Sequence, residues 1–125
     1  MQNRFSVPYP EKLKENIIEK NMNLLSGILP SYDKQITKAL NRNDLPSINH
    51  RTSAFVESYF DIIFALNKMT HPGEKRMIEY AKDYGKILPK NFEENLTNLF
   101  TELFSNKENT INTLKSIVTE IKEII

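Results

Sequence analysis

The sequence predicts an all-α protein, an antiparallel bundle of five to six helices around one long central helix. Three observations lead there. Apolar residues recur at helical spacing along most of the 125 residues, and no segment carries a convincing two-residue alternation. The most regular stripe, from Ile48 to Met69, is long enough to cross a whole domain. The breaks between stripes are short and hold Pro, Gly or Asn, which favours neighbouring helices that run antiparallel.

Taken in order, the helices are expected over 9–29, 31–42, 44–69, 74–84, 91–105 and 108–125, as one domain spanning 1–125. The first has Pro10 in its opening turn and Glu11 and Glu15 near its positive end, with Leu13, Ile17, Leu24 and Ile28 as its inner face. Gly27 and Pro30 end it. Ser31 is placed to cap the second helix, which carries Tyr32, Ile36, Ala39 and Leu40 inward, and Asn41, Arg42 and Asn43 form a short break. Asp44 then reads as an N-cap with Pro46 in the first turn. Beyond it Ile48, Thr52, Phe55, Tyr59, Ile62, Leu66 and Met69 advance by alternating fours and threes, widened by Val56, Phe60 and Ile63. At 1.5 Å per residue this central helix is expected to be about 37 Å long.

His71, Pro72 and Gly73 force a turn, after which the fourth helix runs to Tyr84 and closes on Gly85 in a left-handed cap position. Asn91 starts the fifth, with Phe92, Leu96, Leu99, Phe100 and Leu103 buried. The sixth presents Ile111, Leu114, Ile117, Val118, Ile121 and Ile124, an apolar stripe that implies docking at the C-terminus rather than a loose tail.

Composition narrows the function. With 39% hydrophobic and 26% charged residues the chain reads as globular, and 17 basic against 16 acidic side chains give no field that announces a polyanion, so a nucleic-acid partner is unsupported. There is no cysteine, hence no disulfide framework and no thiolate metal site. No apolar run reaches the roughly 18 residues of a membrane span, and 1–10 has no apolar signal-like core, so a cytoplasmic protein with no membrane partner is the expectation. Phosphate loops, nucleophile elbows and His-Glu-x-x-His are absent, and the two histidines flank opposite ends of the long helix. No metal site is therefore expected. Nucleotidyl transfer needs paired carboxylates on a strand to hold divalent metal against a triphosphate, and the chain offers no strand for them.

What stands out is the outer stripe of the long helix, where His50, Ala54, Glu57, Asp61 and Lys68 fall on one side, opposite the apolar seam. The plain reading is a solvated face. The neighbours suggest more, since Arg42, Arg51 and Arg76 cluster around the two ends of this helix in a chain that otherwise prefers lysine. A guanidinium fork holds phosphate or carboxylate bidentately, in a way that lysine does not reproduce, although an internal Arg–carboxylate clamp explains the same residues. The turn from His71 to Arg76 has two readings as well: a stiffened connection, or a helix start where Lys75, Arg76 and His71 meet an anion.

The combination of Asn41-Arg42-Asn43-Asp44-Leu45, Ser47-Ile48-Asn49-His50-Arg51, Ser58-Tyr59-Phe60-Asp61 through Asn67, and His71-Pro72-Gly73-Glu74-Lys75-Arg76 resembles a prokaryotic helical domain of unknown function. That domain usually follows a nucleotidyltransferase fold of the aminoglycoside-modifying type. The resemblance covers roughly 9–76 and implies a substrate-binding helical bundle that closes on a catalytic domain. It also implies that Asp61 or Glu57 acts as general base on an acceptor hydroxyl within the assembly. The catalytic half is missing from this sequence, so Mg and a nucleoside triphosphate are expected only alongside a separate catalytic domain, the chain being a piece of a longer protein or the product of a truncated or split gene.

The resulting expectation is a non-catalytic accessory domain. It binds a hydroxylated or phosphate-bearing small molecule, or the catalytic domain itself, through Asn49, His50, Arg51, Asp61, Asn67, His71, Lys75 and Arg76. The alternative is a free-standing protein–protein interaction or homodimerisation module that binds no ligand.

Overall fold

Helix α3 (Leu45–Leu66) is buried on nearly every side over its second half, where from Ser58 to Leu66 only Asp61 is partly exposed, and so becomes the element around which the others pack. The computed structural model describes residues 10–27, 30–70, 73 and 76–125. Among these there is no strand, and the remaining helices are α1 (Glu11–Ser26), α2 (Tyr32–Arg42), α4 (Met77–Tyr84), α5 (Phe92–Glu102) and α6 (Lys107–Lys122). The all-α bundle expected from the sequence is the observed architecture.

More than half of the 22 residues of α3 are buried, including the whole expected seam from Ile48 to Leu66 and, beyond it, Ser58, Phe64 and Ala65. Helices α1 and α2 cover one side of it. An aromatic chain ties the opposite side to the later elements. Phe92 of α5 stacks on Tyr59 at 6.1 Å and meets Phe60 edge-on at 5.9 Å, while Phe64 meets Tyr80 of α4 edge-on at 5.9 Å. Leu114, Ile117, Val118 and Ile121 of α6 complete the core.

The ends of α3 follow from local chemistry. Asp44 is the N-cap, accepting from the Ser47 amide at 3.4 Å and its hydroxyl at 2.9 Å, as its position before Pro46 predicts. The Ser47 hydroxyl, then the Arg42 guanidinium at 3.2 Å, holds the Asp44 carboxyl below its ordinary range. At the other end the helix stops at Leu66 rather than Met69, because Lys68 turns left-handed at φ 54° and the Met69 amide folds back to the Phe64 carbonyl at 2.8 Å. The helix is therefore about 33 Å long rather than 37 Å.

Several expected inner faces are rotated. In α1 the buried residues are Ile18, Asn21 and Leu25, whereas Leu13 and Leu24 are exposed, and Ile28 lies outside the described residues. The cause is a buried polar contact: the Ser58 hydroxyl donates to Asn21 Oδ1 at 2.8 Å, and Asn21 Nδ2 donates to the Ile17 carbonyl at 2.9 Å. An asparagine paired in this way sits on the inner line, and a count of apolar residues alone passes over it. Phe100 is exposed too, although Phe92, Leu96, Leu99 and Leu103 are buried as expected.

The turn chemistry also departs in places. Ser31 occupies the N-cap of α2, but its hydroxyl donates to the Asp33 carboxylate instead of accepting from the helix. Helix α4 begins at Met77, later than expected, and Glu74 lies outside the described residues. Gly85 is extended at φ −80° rather than left-handed, and the need for glycine there is steric, since a Cβ would stand 2.5 Å from the Ala81 carbonyl oxygen. Asn91 precedes α5 in a left-handed conformation without capping it, its amide reaching Glu120 at 3.3 Å.

Candidate ligand groove

The outer ridge of α3 does not stand free in solvent; it forms one bank of a groove. His50, Ser53, Ala54, Glu57, Ser58 and Asp61 face Lys20, Asn21 and Leu24 of α1 and Tyr32 of α2 across a concavity of about 440 Å³. Past Asp61 a further hollow of about 380 Å³ continues between Ile17, Lys20 and Asn21 on one side and Phe64, Ala65, Met69 and Thr70 on the other. Lys20, Asn21 and Asp61 line both parts, so they mark the waist of one channel. From His50 to Asp61 the α3 bank covers about 17 Å of helix axis.

Each side chain is placed by local sequence. Steps of four and three residues keep His50, Ala54, Glu57 and Asp61 in line, and Ala54 leaves the bank low enough for a ligand to approach. The Ser58–Asn21 pair forms the polar floor and fixes the separation of α1 from α3. Glu57 and His50 are exposed, Asp61 is half-buried, and Tyr32 is half-buried at the rim. Two carboxylates, an imidazole, an ammonium group and a phenol therefore share one concave surface. Such a set is suited to hydrogen-bonding a hydroxyl- or amine-bearing molecule, because carboxylates accept from both and the other groups orient what remains.

Only part of the expected residue set converges here. His50, Glu57 and Asp61 do. Asn49 and Arg51 lie about a quarter turn to either side of the ridge, and Arg51 lines a separate shallow recess of about 130 Å³ with Gln35, Lys38, Arg42 and Ser47. Arg42 answers to the clamp reading through its ion pair with Asp44. Arg76 caps α4 away from the groove, with its side chain largely exposed and 4.0 Å from Glu79. His71 and Lys75 lie outside the described residues.

Asn67 is bound internally. Its Nδ2 donates to the Ile63 and Ile87 carbonyls at 2.8 Å each, and its Oδ1 accepts from the Lys86 and Ile87 amides at 2.7 Å each, so both donors and both acceptor sites are used. It pins the segment after α4 to the end of α3. Lys68 is likewise drawn off the ridge, to Glu11 at 3.2 Å. Lys68 first, and Lys14 beside it, holds the Glu11 carboxyl below its ordinary range. The facing bank on α1 and α2 escaped the sequence reading, although a lone asparagine inside an apolar stripe, Asn21, was its available signal.

Among the described residues no three His, Asp or Glu side chains gather where a metal ion would sit, and no described helix is long and apolar enough to cross a membrane. Compared with protein-family models, with curated proteins and with solved structures, the chain finds no match.

Proposed function

We propose that this chain is a non-catalytic, substrate-binding helical domain that works beside a nucleotidyltransferase-like catalytic domain and holds a hydroxyl- or amine-bearing small molecule in the α1–α3 groove. The observation that carries this reading is the meeting of His50, Glu57 and Asp61 with Lys20 and Tyr32 on one concave surface. A solvated helix face has no second bank; this one does. The two carboxylates favour the hydroxylated side of the original expectation over the phosphate-bearing side, because Arg51 and Arg76 lie elsewhere. Asp61, at the waist, is the better placed of the two carboxylates to accept a proton from a bound hydroxyl, and that step belongs to the assembly. Mg and a nucleoside triphosphate, where the assembly uses them, are held by the catalytic half.

Isothermal titration with 2-deoxystreptamine, glucosamine and inorganic phosphate tests the reading. The amine-bearing polyols are expected to bind and phosphate is not. Glu57→Gln together with Asp61→Asn is expected to weaken binding at least about tenfold, a loss of about 1.4 kcal/mol, with the melting temperature kept within a few degrees. Tight phosphate binding, or polyol binding indifferent to both substitutions, overturns it.

A further inference from the structure

A second concavity, of about 600 Å³, lies between α2 and α6 and shares no residue with the groove. Its floor is apolar, made by Ile111, Leu114 and Val118, and follows α6 for about 10 Å. Its banks are basic, with Lys34 and Lys38 one turn apart on α2 and Lys115 on α6. The one carboxylate lining it, Asp33, is already taken by the Ser26 hydroxyl at 2.6 Å, the Ser31 hydroxyl and the Lys34 amide at 2.7 Å. Lys34 donates to the Gly27 carbonyl at 2.8 Å. Lys38 and Lys115 are exposed and enter no ion pair among the described residues.

Size and charge together narrow the occupant. A volume of this order is that of a small-molecule pocket, and the few side chains lining it fall well short of the roughly 20–30 a side that a stable protein interface uses. An apolar floor gains from burying hydrocarbon, and two uncommitted ammonium groups beside it gain from meeting an anion. A molecule that satisfies both carries an alkyl chain and a negatively charged head. Two ammonium donors suit the two oxygens of a carboxylate.

We propose that the α2–α6 cleft binds a single-chain anionic amphiphile, an alkyl carboxylate whose chain lies along Ile111, Leu114 and Val118 and whose head is met by Lys38 and Lys115. The lysines set the sign of the head, and the floor sets the length of the chain.

Isothermal titration of the full chain with sodium decanoate, sodium hexanoate and decyltrimethylammonium tests this. Decanoate is expected to bind 1:1, hexanoate at least about tenfold more weakly because it buries less chain, and the cation of equal chain length not at all. Lys38→Ala with Lys115→Ala alters two exposed side chains and is expected to weaken decanoate binding at least about tenfold with the melting temperature kept within a few degrees. Lys38→Arg with Lys115→Arg keeps the charge and is expected to restore binding. Glu57→Gln with Asp61→Asn is expected to leave decanoate binding unchanged, so this site and the groove are tested separately. In flotation with phosphatidylglycerol vesicles the chain is expected to stay unbound. No decanoate binding, equal affinity for hexanoate or for the cation, or binding indifferent to Lys38→Ala with Lys115→Ala overturns the proposal. So does decanoate binding lost on altering the groove, or flotation with the vesicles, which marks a bilayer contact in place of a soluble ligand.

Discussion

The two concavities of this bundle are built on opposite plans. The α1–α3 groove has a polar floor, the Ser58–Asn21 pair, and mixed-charge banks with two carboxylates. The α2–α6 cleft has an apolar floor and lysine banks. A polar floor orients a ligand through hydrogen bonds and contributes little by burial. An apolar floor gains from burial and selects by shape, with its charged rim choosing the sign of the partner. The contrast teaches that two concavities of one small helical domain differ in what lies beneath their charged residues as much as in the charges themselves.

The largest expected effect on stability comes from the apolar floor. Leu114 is 2% exposed, so Leu114→Ala is expected to cost about 2–5 kcal/mol in chemical denaturation, as a deleted core side chain does. The polar floor is expected to respond differently. Ser58→Ala leaves Asn21 Oδ1 buried without its donor and is expected to cost about 1–3 kcal/mol, while Ser58→Ala combined with Asn21→Leu recovers much of that loss. If the double substitution is as damaging as the sum of its parts, the floor is not the isolated polar pair described here.

Alkaline pH sharpens the comparison at the third side of α3. Tyr59 is 1% exposed, and burial first, with the charge of Glu120 second, pushes its hydroxyl well above its ordinary value of 10. A group whose ionisation is resisted only in the folded state contributes stability that is intact below the unfolded value and falls away as pH rises above it. Stability is therefore expected to decline above about pH 10, and Tyr59→Phe is expected to flatten that decline; identical alkaline melting curves for the two proteins contradict the assignment. The smallest effect belongs to the groove rim. Glu57→Gln is expected to shift unfolding by less than about 0.5 kcal/mol, because Glu57 is exposed.

The bundle was legible because its signals are local and repetitive. The seam of α3 from Ile48 to Leu66, the Asp44 cap, Ile36, Ala39 and Leu40 of α2 and Leu114, Ile117, Val118 and Ile121 of α6 need nothing beyond period and cap chemistry, whereas Tyr32, Ile111 and Ile124, also expected inward, are only half-buried. What the pattern missed depends on partners far apart in sequence. Asn21 turned the face of α1 because Ser58 stood opposite, and Asn67 proved to be a pin because the backbone at Lys86 and Ile87 arrives beside it. The candidate site was half legible for the same reason. A ridge can be read along one helix, but the bank that makes it a groove comes from two others, and the arginines around the ridge point to separate places once the helix turns are counted.

Chemical-shift mapping on the labelled chain titrated with 2-deoxystreptamine addresses the groove most directly. Amide perturbations are expected to concentrate at Lys20, Asn21, Ser53, Glu57 and Asp61. Perturbations centred on Arg51 and Arg76, or none at all, would contradict it.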